Sequence, residues 1–70
     1  MENKFPERLA ELREERKLSQ NELNRALGLG SGPTISRWER GLQSPSVEYI
    51  IMLCEFFGCT ADYLLGLKHE

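Results

Sequence analysis

Apolar residues recur along this chain at helical spacing, and nowhere do they alternate with polar ones over four or more positions. That pattern predicts helices and no strand. Phe5, Leu9 and Leu12 share one face at i, i+4 and i+7 of a first helix over residues 5–17. Charges fill its other positions. Pro6 suits the first turn, and Glu7 and Glu11 come early while Arg16 and Lys17 come late, as the helix dipole favours. A second helix over residues 20–27 puts Leu23 and Leu27 on one face. Ser19 caps it, with Glu22 three residues on completing a capping box, and Gly28 stops it. Leu29-Gly30-Ser31-Gly32 makes a turn. A short third helix over 33–40 follows, capped by Gly32 or Ser31, with Pro33 in its first position and Gly41 at its end. Ser44-Pro45-Ser46 starts a fourth helix over 47–57, ended by Gly58. Thr60 caps a last helix through Leu65, ended by Gly66, and residues 67–70 read as a frayed tail.

Seventy residues make one domain, residues 1–70, with a small core. About 60% of the unfolded surface disappears on folding at this size. Such a chain relies on close helix packing, a metal, disulfides or a partner chain. Two cysteines, Cys54 and Cys59, are too few for a disulfide framework. The first fifteen residues are mostly charged, unlike a secretory leader, and no apolar run reaches the roughly 18 residues that span a bilayer. A cytoplasmic, reducing setting is expected.

The formal net charge of -2 argues by itself against a nucleic-acid partner. Its distribution changes that. Residues 1–15 carry -2 and residues 45–70 carry -3. Residues 16–44 carry +3, from Arg16, Lys17, Arg25, Arg37 and Arg40 against Glu22 and Glu39. A contact responds to the field within a Debye length of about 8 Å, not to the total.

The third helix has two unlike sides. Ile35, Trp38 and Glu39 share a face, and the two apolar residues belong to the core. Thr34, Ser36, Arg37 and Arg40 lie opposite, with Pro33 at the tip. Short hydroxyls allow close approach, and arginine bonds guanine O6 and N7 in a bidentate way, which is what a helix in a major groove needs. A merely solvated face is the alternative. The fourth helix is apolar on more than one side. Val47, Ile50, Ile51, Cys54 and Phe57 are expected to make its core stripe, with Leu53 beside it. Tyr49, Met52 and Phe56 form a second line, either more core or a homodimer face.

A helix, a tight turn and a second helix with polar residues outward is a helix-turn-helix arrangement. Leu18-Ser19-Gln20 with Glu22-Leu23, Leu27-Gly28, Thr34 through Glu39 with Gly41, Pro45-Ser46 and Asp62 through Gly66 together resemble the Cro/repressor-type domain. This is also called the xenobiotic response element family of bacterial and phage regulators. The resemblance runs from about Arg8 to Gly66, with the motif at about 19–39. It implies an all-α, five-helix lambda-repressor-like DNA-binding domain whose third helix is the recognition helix. It implies that Gln20 contacts phosphate or a base edge, that Ser31, Pro33, Thr34, Ser36 and Arg37 lie where bases are read, and that Arg40 and Ser44 lie where phosphate is touched. Arg13 and Glu39 match positions that often form a partly buried ion pair, here assigned to structure. Two departures stand out. The turn from Gly28 to Thr34 is one residue longer than the common form, and Asn24 stands where the family usually has alanine. The two are expected to be linked, with Asn24 bonding the turn backbone.

Cys54, Cys59 and His69 do not make a metal site by spacing, and no nucleophile has a placed base, so neither a metal, a cofactor nor catalysis is expected. The reading is a sequence-specific double-stranded DNA binder, a transcriptional repressor acting as a homodimer on a palindromic operator. Its setting is the bacterial or phage-infected cytoplasm, at the nucleoid when bound. No membrane and no small-molecule ligand are implied. The alternative, kept open by the acidic total, is a protein-interaction module on the same helices without DNA binding.

Overall fold

The computed structural model describes residues 3–30 and 32–67. It consists of α1 (Phe5–Glu15), α2 (Gln20–Ala26), α3 (Thr34–Glu39), α4 (Val47–Phe57) and α5 (Ala61–Leu65), with no strand among the described residues. α1 packs on α3 and α5, α2 packs on α3, and α4 packs on α5. Phe5, Leu9, Leu23, Leu27, Ile35, Trp38, Leu53, Phe57 and Leu64 form one buried cluster, so every helix contributes to a shared core. α3 supplies only Ile35 and Trp38 to it, yet Trp38 is central. Its ring meets Phe5 edge-on at 6.1 Å and Tyr49 at a tilt at 5.5 Å.

Local side chains start most of the helices. Ser19 accepts from the Glu22 N–H while the Glu22 carboxylate accepts from the Ser19 N–H. Ser46 accepts from the Tyr49 N–H, Thr60 from the Tyr63 N–H, and Asn3 Oδ1 from the Phe5 N–H. Each takes up a donor that the first turn leaves unpaired. α3 lacks such a side-chain cap, and Pro33 stands at its N-cap, one place before the expected first position. The Pro33 carbonyl already accepts the Arg37 N–H at 2.8 Å, so the helix is entered at Thr34. Ser31, the other expected cap, lies outside the described residues.

All five helices end in the same way. An N–H five residues on returns to a carbonyl of the last turn: Leu18 to Arg13, Leu29 to Asn24, Leu42 to Arg37, Cys59 to Cys54 and Leu67 to Asp62, at 2.8–3.1 Å. This closure requires a left-handed residue just past the helix. Gly28, Gly41, Gly58 and Gly66 provide it in four cases, and Lys17, at φ 57°, in the fifth. α1 therefore stops two residues short of the expected Lys17, at a lysine that carries no glycine-like signal.

The core stripe of α4 is corrected. Val47 and Ile51 are 72% and 52% exposed, whereas Leu53 is fully buried. The inward line runs Tyr49, Leu53 and Phe57, with Ile50, Cys54 and Phe56 half-buried beside it. Tyr49 and Phe56, expected in a second line, are turned to the core through Trp38 and Phe57. A helix apolar all round has no phase of its own. The position of Trp38 against Tyr49 sets it.

Candidate nucleic-acid interface

α3 divides the expected site along its length. Ile35 and Trp38 are buried and point inward. Pro33, Arg37 and Arg40 are exposed, Thr34 and Ser36 half-exposed, and Ser44 is exposed in the loop beyond. Thr34, Ser36, Arg37 and Arg40 fall on the side of the α3 wheel away from Ile35 and Trp38. Ser31 lies outside the described residues. Glu39, the one acid of α3, is turned inward, so the charges that α3 and its C-cap present to solvent are Arg37 and Arg40.

The inward turn of Glu39 has a specific cause. Arg13 Nε donates to Glu39 Oε2 at 2.6 Å and Arg13 Nη2 to Oε1 at 3.1 Å, a two-pronged contact from α1. The two side chains are 13% and 8% exposed. Arg13 Nη1 also donates to the Leu18 carbonyl at 2.8 Å, fixing the turn into α2. Hydrogen bonding to Glu39 pushes the Arg13 pKa above its ordinary value, more than burial pulls it down. One guanidinium thus joins α1, the start of α2 and the end of α3.

Gln20 is half-buried, and its Nε2 donates to Glu39 Oε1 at 3.0 Å. One of its two amide hydrogens is therefore engaged inside the protein. Asn24, one turn further along α2, is 2% exposed. Its Nδ2 donates to the Gly32 carbonyl at 2.7 Å, so the bond from Asn24 to the turn backbone is present. Asn24 Oδ1 and Trp38 Nε1 are buried without a hydrogen-bond partner among the described residues. Leaving such an atom unpaired costs about 1–3 kcal/mol. The Gln20 contact escapes a sequence reading because it spans nineteen residues. One signal was available: Gln20 and Asn24 fall on the same stripe as Leu23 and Leu27, at positions where an α2 facing only solvent outward would not need amides.

Glu22, exposed at the start of α2, is held below its ordinary value by the Ser19 backbone N–H and then the Ser19 hydroxyl. Arg16 lies over the rings of Phe56 and Phe57 and donates to the Phe56 carbonyl at 3.1 Å, so that cation serves α4 and not the α3 surface. Cys54 and Cys59 are free thiols at the end of α4. Burial, and then the neighbouring Cys59, pushes the Cys54 thiol up. No three potential metal ligands gather among the described residues. His69 lies outside them. No described helix is long and apolar enough to cross a membrane.

A helix-turn-helix family model matches residues 9–64. The cryptic phage CTXphi transcriptional repressor RstR of Vibrio cholerae is 37% identical over 54 residues, 77% of this chain and 48% of that protein. The crystal structure of a transcriptional regulator from Listeria innocua superposes with a TM-score of 0.87 at 26% identity, over all of this chain and 64% of that one. The chain thus spans about half the length of the curated relative it matches.

Proposed function

The chain belongs to the helix-turn-helix family of the xenobiotic response element type, and from that premise we propose that it binds double-stranded DNA sequence-specifically and represses transcription. In this reading α3 lies in the major groove. Thr34, Ser36 and Arg37 face base edges, Pro33 offers an apolar contact at the tip, and Arg40 and Ser44 meet phosphate. Gln20 gives one amide hydrogen to Glu39 and meets phosphate or a base edge with the rest of its amide. The observation that supports this most is the two-sidedness of α3. Its inward residues are locked by Arg13, Gln20 and the core, while its outward ones are short hydroxyls and arginines with no described partner inside the protein. A groove about 12 Å wide admits such a helix. Two copies on a palindromic operator would set their α3 helices about 34 Å apart. Met52 from the expected second line of α4, with Val47, Ile51 and Leu42, is among the exposed apolar residues that support a homodimer. The reading places the protein in the cytoplasm at the nucleoid and involves no cofactor, small molecule or catalytic step.

Selection of bound sites from random duplexes, followed by a salt series on the selected site, tests it. Affinity is expected to fall linearly with log salt, with a slope set by several phosphate contacts. Arg37→Ala is expected to weaken the selected site by about 1–3 kcal/mol and to relax one base position, with an unchanged melting temperature. Absence of duplex binding at low salt would overturn the proposal in favour of a protein-interaction module.

A further inference from the structure

We infer that α2 grips α3 at both ends through two amides, Gln20 and Asn24, and that Asn24 is the positioning residue that sets how the outward face of α3 meets its target. The inference rests on the DNA-binding reading for its consequence, but its geometry is independent of it. Gln20 and Asn24 stand four residues apart on one face of α2. Gln20 reaches Glu39, the last residue of α3, and Asn24 reaches Gly32, two residues before its first.

Ile35 seats the first turn of α3 in the core, but the turn leading into it has little else to hold it. The helix is six residues long and has no side-chain cap. Gly28, Gly30 and Gly32 in the preceding turn have nothing within 4 Å of where a Cβ would stand, so packing does not fix them. Leu29 is the turn residue that packs on the core. Asn24 brackets the turn: its carbonyl accepts the Leu29 N–H at 2.8 Å and its side chain donates to the Gly32 carbonyl at 2.7 Å. Asn24 Oδ1 is buried without a described partner, so an alanine would remove one unpaired atom while freeing the Gly32 carbonyl. The residue does not complete its own hydrogen bonding. What it completes is the placement of the turn.

The consequence follows from order along the chain. Thr34, Ser36 and Arg37 lie two to five residues after Gly32, whereas Arg40 and Ser44 lie beyond the Glu39 anchor. Freeing the Gly32 carbonyl loosens the turn that leads into Thr34 and lets it shift, while Ile35, Trp38 and the Glu39 anchor keep the rest of α3 seated. Hydrogen bonds to base edges weaken steeply outside about 2.7–3.2 Å, so base reading suffers first. Contacts between flexible arginines and phosphates tolerate the same shift.

The test uses the whole chain with Asn24→Ala and, as a bulkier variant without a donor, Asn24→Leu. Binding is measured on the selected duplex and on a scrambled one, with Arg40→Ala as the reference for lost phosphate contact. For either Asn24 variant, affinity for the selected duplex is expected to fall about tenfold while that for the scrambled duplex stays within about twofold. Arg40→Ala is expected to weaken both alike. Amide hydrogen exchange in the free protein is expected to speed at Arg37, whose N–H bonds the Pro33 carbonyl, and to stay unchanged at Leu9 and Leu53. An unchanged ratio of selected to scrambled affinity in a folded variant overturns the inference, as does failure of both variants to fold, which would make Asn24 a determinant of the fold. A wild-type chain that binds no duplex overturns the DNA-binding reading and the specificity claim with it. Exchange at Arg37 then still decides whether Asn24 holds the turn.

Discussion

Removing the Arg13 guanidinium is the most demanding perturbation of this fold. Arg13→Ala leaves the Glu39 carboxylate, 8% exposed, with the Gln20 amide as its remaining described partner. It also frees the Leu18 carbonyl. Breaking one side of a buried ion pair costs about 3–5 kcal/mol, and losing the bond that the charged guanidinium gives Leu18 adds about 1.5–3 kcal/mol. Total stability at this length is roughly 3.5–10 kcal/mol. The variant is therefore expected to be marginal, with Tm lowered by about 18 °C or more at the usual 4–8 °C per kcal/mol for small domains. Circular dichroism during thermal and urea unfolding measures this. Because Glu39 holds the Arg13 pKa above its ordinary value, raising the pH to ordinary alkaline conditions does not reproduce the effect. High salt does not either, since screening acts weakly on a pair this buried. The double variant Arg13→Met with Glu39→Leu removes both charges and is expected to regain most of the loss. A loss below about 1 kcal/mol in Arg13→Ala, or additivity in the double-mutant cycle, would refute the reasoning.

Other expectations follow from the helix ends. Lys17→Gly relieves a left-handed lysine and is expected to raise stability by about 0.5–1 kcal/mol, read as a Tm increase of several degrees. A fall in Tm would mean that the lysine side chain holds something the backbone argument leaves out. Gly66→Ala combines a left-handed φ of 73° with a Cβ that would stand 2.6 Å from Lys4 Cβ, and is expected to cost about 2–3 kcal/mol. Gly58→Ala, at φ 68° in open space, should cost only about 1 kcal/mol, and equal losses at the two sites would remove the Lys4 clash from the account. Glu22 titrates below its ordinary 4.5 when folded, so its contribution to stability is present above that value and is lost as pH falls through the folded value. Glu22→Gln is expected to flatten that acid limb in pH-dependent unfolding. An unchanged limb would assign it to other carboxylates.

What the sequence disclosed divides by distance along the chain. Helix starts were legible at Ser19, Ser46 and Thr60 because each cap bonds an N–H three residues on. Helix ends were legible at Gly28, Gly41, Gly58 and Gly66 because a left-handed residue favours glycine. Lys17 breaks that rule, and α1 was drawn too long for that reason. The inner face of α3 was legible because Ile35 and Trp38 are its only large apolar residues. α4 was not, since its phase depends on Trp38 and Tyr49, eleven positions apart, meeting across the core. Within the candidate site, the outward polarity of Thr34, Ser36, Arg37 and Arg40 could be read directly from a helical wheel. The engagement of Gln20 with Glu39 could not, because it depends on how α2 crosses α3.

Trp38 makes one side of α3 visible to light. It is the only tryptophan in the chain, 1% exposed, wedged between Phe5 of α1 and Tyr49 of α4. Its indole belongs to the same six-residue helix as Thr34 and Arg37 but faces away from them. Its emission therefore reports how firmly α3 is seated, not what touches its outer surface. A red shift during unfolding marks the loss of that seat. A steady spectrum while a ligand is titrated onto the far side would mean that α3 engages its target as a rigid rod, with no adjustment passed through to the interior.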